Sequence, residues 1–261
     1  VISCFDPIRK ETARRLLEKL ISDGRIHPTR IEELVKKIRK EIDDELFEYG
    51  EKAVLDASVQ GVPKALLPLL GRLHFRFSFS QNVLKHSIET AAFMGAIAAE
   101  LGLDEQKARR IGLFHDIGKM GVPDALLRKT GPLTPEEFDE IKKHTLIGEE
   151  LMRGMKEMES EPLVEAAAEI CRWHHERVDG RGYPDGLKGD EIPMTVQAVG
   201  LADAYDALVS QRVYKPAYTH TEALAMIRRG ECGAFDPLLV DCLEDIQGAL
   251  CREVYGMRGK E

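Results

Sequence analysis

Histidines recur through the middle of this chain at a nearly constant interval. His86, His115, His144 and His174 are followed by Asp203, each 29 or 30 residues after the last. Two stations are doubled, as His115-Asp116 and His174-His175, so five of the eight histidines fall in the register. Neutral imidazoles and carboxylates gathered in one cluster are what a pair of first-row transition ions takes as ligands. The interval is about one helix plus its connection, which predicts that successive helices each hand a ligand to a common pocket. A single helical histidine is more often a surface or satisfied core residue than a ligand. The doubled stations and the even spacing favour the joint reading. His27, His74 and His220 lie outside the register and read as ordinary histidines.

The elements that must position these residues read as helix after helix. Asp6 as N-cap and Pro7 at the first helical position predict a helix from Pro7 to Ile21. From Ile31, apolar residues at Leu34, Val35, Ile38, Ile42 and Leu46 form the stripe of an amphipathic helix. Gly61, Pro63 and Pro68 break that pattern. A boundary near residue 72 then separates a helical N-terminal region, residues 1–72, from the histidine-bearing part, residues 73–261. Asp104 caps the helix expected to deliver His115-Asp116. Thr134-Pro135-Glu136-Glu137 is a capping-box pattern whose helix carries His144 about two to three turns in. Glu161 to His175 reads as a helix ending on the histidine pair, Pro193 to Ser210 as one carrying Asp203 and Asp206, and Asp236-Pro237 opens a last one. Asp179 to Pro193 is crowded with glycine and proline and must be a loop. Nothing reads as a substantial sheet, so the fold class is all-α.

Composition narrows the partners. With 261 residues, 43% hydrophobic and 31% charged, the chain suits one large domain or two small ones. Its longest apolar run, Ala91 to Ala99, is far too short to span a bilayer, and the first residues do not read as a signal peptide. The expectation is a cytoplasmic protein without membrane insertion in this segment. Starting at Val1, the chain leaves room for an upstream segment. Cys4, Cys171, Cys232, Cys242 and Cys251 lack close-paired zinc-ligand spacing and read as reduced thiols. A net charge of −8 argues against binding a nucleic-acid polymer. An anionic small ligand stays open, because a metal cluster reverses the sign locally.

His115-Asp116 followed by Lys119, His174-His175-Glu176-Arg177, and Asp179-Gly180-Arg181-Gly182-Tyr183-Pro184 together resemble the HD-GYP family. This is a subgroup of HD-type phosphohydrolases similar to cyclic-di-GMP phosphodiesterases. His86-Ser87, Asp203-Ala204-Tyr205-Asp206-Ala207-Leu208, Arg212 with Tyr214-Lys215, and Phe235-Asp236-Pro237 extend the resemblance over about residues 80 to 250. Residues 1–72 resemble no family in their motifs.

The resemblance implies an HD-domain helical bundle with a GYP loop, preceded by a small helical N-terminal region. His86, His115, Asp116 and Asp203 resemble the ligands of one divalent metal; Asp116, His144, His174 and His175 resemble those of a second, with Asp116 shared. Lys119 looks like the family's lysine beside the metal-bridging water, so Lys119 and Asp116 are the candidate catalytic residues. Tyr183, Arg212 and Lys215 match substrate-contacting positions, Gly182 and Pro184 shape the loop that presents Tyr183, and Asp206 is expected to orient a ligand. Some members hold a third metal through a glutamate four residues before the first histidine. Here that position is Asn82, which predicts two metals. Oxygen and nitrogen ligands without thiolate suit iron or manganese, with zinc, nickel or cobalt also accommodated.

The implied activity is hydrolysis of cyclic di-GMP to pGpG, and onward to GMP, by a hydroxide bridging two metals. Two alternatives stay open: another nucleotide such as cyclic GMP-AMP, or a weakly catalytic nucleotide- or redox-sensing module. Residues 1–72 are either a regulatory or dimerising module, which would make the protein a homodimer, or helices packed on the catalytic part.

Overall fold

The Asp6 carboxylate accepts the backbone N–H groups of Ile8 and Arg9, and Pro7 opens helix α1 (Pro7–Asp23), which Gly24 closes at a φ of 69°. The computed structural model describes residues 2, 4–24, 26–155, 162–210 and 217–255, with side chains to residue 248. Leu34, Ile38, Ile42 and Leu46, the stripe read from sequence, are the buried face of α2 (Pro28–Asp56) and pack with Leu20 of α1. Arg15–Glu45 and Lys19–Glu41 pairs flank that seam. Partly exposed ion pairs of this kind contribute little, so apolar burial holds α1 to α2.

Past the stripe, α2 joins the histidine-bearing half. Its Ala53 and the C-cap Ala57, with Leu70 and Leu73 of α3 (Leu67–Leu73), share one apolar cluster with Val83 and Ala91 of α4 (Val83–Glu100) and Leu113 and Phe114 of α5 (Glu105–Phe114). α2 and α3 touch backbone to backbone: a Cβ at Gly50 would lie 2.0 Å from Leu67 O, and one at Gly71 would lie 1.8 Å from Leu46 O. Residues on both sides of position 72 thus share one apolar cluster.

Between α5 and the loop region come a 3-10 turn (Ile117–Gly121), α6 (Asp124–Leu127), α7 (Pro135–Lys142), α8 (His144–Arg153) and α9 (Pro162–Trp173). A second apolar cluster joins Phe93 and Ile97 of α4 to Leu201 and Tyr205 of α10 (Met194–Val209), Leu224 of α11 (His220–Arg228) and Leu243 of α12 (Pro237–Tyr255). Helix α4 contributes to both clusters, which fixes the depth of His86 in its first turn. Among the described residues there are twelve α-helices, and the sole sheet is a hairpin of two-residue strands, β1 (Phe77–Ser78) and β2 (Gln81–Asn82). The fold is all-α, as the sequence predicts.

Three helix boundaries differ from expectation, all beside the register histidines. α5 stops at Phe114, so His115 caps it and Asp116 leads into the 3-10 turn. α7 does not run through His144; it ends at Lys142 and α8 starts at His144 itself. Here His144 Nδ1 donates to Ile141 O at 2.7 Å and Thr145 Oγ1 to Lys142 O at 2.9 Å. Side chains have taken carbonyls that a continuous helix would use for its backbone ladder. α9 ends at Trp173, one residue before the histidine pair.

Candidate metal centre

The five register histidines, Asp116 and Asp203 converge on one pocket, each delivered from a helix end or, for Asp203, from the middle of α10. His86 Nε2 lies 3.2 Å from His115 Nε2 and 3.0 Å from Asp203 Oδ1. Across the pocket, His144 Nε2 faces His174 Nε2 at 3.3 Å, and His175 completes that group. Asp116 divides its carboxylate between the two. Its Oδ2 is 3.6 Å from His86 Nε2 and 3.5 Å from His115 Nε2, whereas its Oδ1 is 3.6 Å from His144 Nε2 and 3.8 Å from His174 Nε2.

The outer ring nitrogens show what the inner ones are for. His115 Nδ1 faces Gly112 O at 2.8 Å, His144 Nδ1 faces Ile141 O, and His174 Nδ1 faces Ile170 O at 2.9 Å. A carbonyl only accepts, so each Nδ1 carries the hydrogen and each Nε2 turns a lone pair inward. Asp116 Oδ1 is buried without a hydrogen-bond partner. Lone pairs meeting at 3.3 Å beside an unpaired carboxylate oxygen repel one another unless a cation lies among them. The donor set, imidazole and carboxylate without thiolate, fits divalent transition ions.

Charge follows the same division. Burial pushes His144 down to about 3 and His174 to about 4, and it also lowers His115 and His175, so these four rings are neutral. Burial opposes a charge on His86 too, but Asp203 and Asp206 override it and raise that ring to about 10. Burial likewise disfavours the Asp116 and Asp203 anions. Lys119 and the imidazoles around Asp116, and chiefly His86 at Asp203, nevertheless hold both carboxyls well below the usual range.

Asp206, expected to orient a ligand, is fully buried and accepts from His86 Nδ1 at 2.5 Å. Its remaining capacity is filled by Gln81 Nε2 at 2.7 Å and Ser210 Oγ at 3.2 Å. Sequence reading missed both partners. Ser210 had a local signal, lying four residues beyond Asp206; Gln81 had none, because the hairpin was not foreseen. Asn82 is an N-cap for α4, accepting from Lys85 N–H and donating to His74 O at 2.7 Å.

Lys119 Nζ reaches Asp116 Oδ2 from the 3-10 turn, at 2.5 Å. The Tyr183 ring stacks on His175 with centroids 4.7 Å apart and meets Phe138 edge-on. Its loop is organised by Glu176, whose carboxylate accepts the backbone N–H groups of Asp185, Gly186 and Leu187 at 2.7–3.0 Å. Gly182 passes so close to Glu176 that a Cβ there would lie 2.4 Å from Glu176 Cα. A cavity of about 230 Å3 opens over the cluster, lined by Lys119, His144, His175, Tyr183 and Asp203, with Phe79 and Phe138 as further walls. Those two phenylalanines were not singled out in the sequence. Arg212 and Lys215, the other expected substrate contacts, lie outside the described residues.

A helical bundle carrying a His-Asp pair within such a cluster has the architecture of an HD domain. Residues 74–239 match the family model described as HD domain, and the chain belongs to that family. It is similar to ribonuclease Y of Desulforudis audaxviator, 45% identical over 212 residues that make up 81% of this chain and 34% of the relative. Against ribonuclease Y of Thermus thermophilus it is 58% identical over 119 residues, 46% of this chain and 21% of that protein. The chain therefore spans about a third or less of the length of these curated relatives. Among solved structures it resembles the HDG"Y"P protein Bd1817 of Bdellovibrio bacteriovorus (TM-score 0.50, 19% identity, 92% of this chain, 70% of that one). It also resembles the HD domain of the L. monocytogenes phosphodiesterase PgpH in complex with cyclic-di-AMP (TM-score 0.51, 19% identity, 74% of this chain, 100% of that one). At such identities the two structures establish a shared fold. No helix among the described residues is long and apolar enough to cross a membrane.

Proposed function

We propose that this chain is a metal-dependent phosphodiesterase that hydrolyses cyclic di-GMP to pGpG. The observation that carries the reading is Asp116, one oxygen toward each imidazole group, beneath a cavity walled by Tyr183 and entered by Lys119. His86, His115, Asp203 and Asp116 would hold one divalent ion and Asp116, His144, His174 and His175 a second, iron or manganese by donor type. Bound there, the pair supplies an acidified water and neutralises charge on the attacked phosphate.

The chain's own residues do the rest. Lys119 stands within reach of Asp116 and donates to the phosphoryl oxygens as negative charge builds on them. Asp206 and Gln81 keep the His86 ring turned so that its Nε2 faces inward. Tyr183, braced on His175, offers an aromatic face to a purine, and Glu176 holds the loop that presents it. Arg212 and Lys215 are proposed to grip substrate phosphate, as the family resemblance implies. Protein loaded anaerobically with iron(II) or manganese(II) should convert cyclic di-GMP to pGpG, read by chromatography. Intact cyclic di-GMP under both metals would sink the proposal.

A second reading is ribonuclease activity on single-stranded RNA, favoured by the ribonuclease Y relatives. Both substrates present a 3′–5′ phosphodiester between ribonucleotides, so the same cluster serves either. An unstructured RNA and cyclic GMP-AMP in the same assay rank the substrates. For residues 1–72, the core shared by α2, α3 and α4 supports the reading that they pack as part of the catalytic unit.

A further inference from the structure

The hairpin that walls the metal pocket also walls a second cavity. Ser78, Phe79 and Gln81 line the metal pocket, whereas Phe77 lines a neighbouring groove of about 380 Å3 that the proposed mechanism leaves unused. Three rings, His74, Phe75 and Phe77, share this groove with the cations Lys10, Arg14 and Arg128. The His74 ring is stacked on Tyr49 at 3.7 Å, and the Arg128 guanidinium lies 4.9 Å over the Phe77 ring.

Two acids also face the groove. Glu11 is held by Arg14 and Arg15, and Asp124 by Arg128 at 3.0 Å and Lys10 at 3.8 Å. Three cations and two acids line this groove, with Glu18 paired to Arg14 at 2.5 Å beside it, on a chain whose net charge is −8. Lys10 and Arg14 stand one turn apart on the same face of α1, so both point along one line. Aromatic faces beside a row of surface cations are what binds a single strand without regard to sequence: bases stack, and phosphates meet the cations. A compact cyclic dinucleotide seated over the metal cluster has no second part to place here. A polymer crossing the hairpin does.

We propose that the groove of His74, Phe75, Phe77, Lys10, Arg14 and Arg128 is an accessory site for single-stranded RNA, holding nucleotides that flank a phosphodiester in the metal pocket. The inference rests on the ribonuclease reading. The rival account is a solvated surface whose charges only pair with one another.

The test compares an unstructured RNA of about 20 nucleotides with a ribodinucleotide, using the full chain. In chelator-treated protein the long RNA should bind, by fluorescence anisotropy, and binding should weaken with salt. In metal-loaded protein, Phe77→Ala should lower the ratio of long-RNA to dinucleotide kcat/KM about tenfold, through KM. Because Phe77→Ala risks disturbing the hairpin, Lys10→Ala, on the surface of α1, provides a second variant. It should flatten the slope of log affinity against log salt by about 0.7. Cleavage of long RNA and dinucleotide with equal kcat/KM, or variants that leave ratio and slope untouched, would overturn the groove while leaving the ribonuclease reading standing. Hydrolysis of cyclic di-GMP without any RNA cleavage would remove that reading and the groove with it.

Discussion

Asp206 Oδ2 lies 2.5 Å from His86 Nδ1, joining α10 to α4 across 120 residues of sequence at a fully buried carboxylate. The bond fixes which nitrogen of His86 faces the cluster. Such carboxylate partners typically matter 10- to 100-fold in metal affinity, so Asp206→Asn should lower affinity for divalent metal by about that factor. Competition with a chromogenic chelator reads it, and unchanged affinity would remove Asp206 from the metal-binding unit.

Asp116 and Lys119 are in contact, yet their substitutions should separate. Asp116→Ala removes the carboxylate that faces both imidazole groups and should abolish metal loading and turnover together. Lys119→Ala should keep the metal content of the parent protein, by elemental analysis, while kcat falls about 100- to 1,000-fold, the usual loss for one donor to developing charge. Metal loss in Lys119→Ala would reassign the lysine to structure.

Glu176 organises the loop that brings Tyr183 to the cavity. Glu176→Gln exchanges three charge-assisted acceptances for weaker or mismatched ones, at a cost of about 1.5–3 kcal/mol. Because the loop carries Tyr183, the expected signature is a raised KM and faster proteolysis within 179–193. Unchanged KM would separate the loop from substrate binding.

The metal-free protein should be most stable near neutral pH. His115, His144, His174 and His175 are depressed from 6.5 in the folded state, chiefly by burial, so below about pH 6.5 the unfolded chain takes up protons that the folded one refuses. Stability then falls as pH drops. His86 is raised to about 10 by its two carboxylates, so its contribution is complete below 6.5 and is lost as pH climbs toward 10. Thermal melts in chelator should therefore peak near neutrality, and a flat profile from about pH 5 to 9 would contradict the charge assignments.

Removing residues 1–72 should unfold the remainder. Ala53, Ala57, Leu66 and Leu70 would be stripped from the cluster that also holds Leu113 and Phe114, the residues immediately before His115. Loss of the cooperative melt is expected. A truncated protein starting near Leu73 that melts and turns over like the full chain would show instead that the N-terminal helices form a separable module.

The residues that meet in the imidazole–carboxylate cluster were legible in the chain because side-chain chemistry is local. Doubled His-Asp and His-His stations, a regular interval and a glycine-rich loop can all be read one segment at a time. The amphipathic stripe of α2 and the caps at Asp6, Asp104 and Thr134 were equally legible, since each depends on neighbours within four residues. The helix breaks at His115 and His144 were not. There, imidazole and hydroxyl groups compete for backbone carbonyls, and periodicity carries no trace of that competition.

Tertiary packing alone decided how the clustered side chains divide. Asp116 faces two imidazole groups because α5 ends early enough to turn its carboxylate between α4 and α8. Gln81 reaches Asp206, and Phe79 and Phe138 wall the cavity, because the hairpin and α7 arrive from distant parts of the chain. Residue type and spacing state which groups can bind a metal. Which atoms face one another is settled by the cores that press α4, α5, α9 and α10 together, and only the folded chain contains those distances.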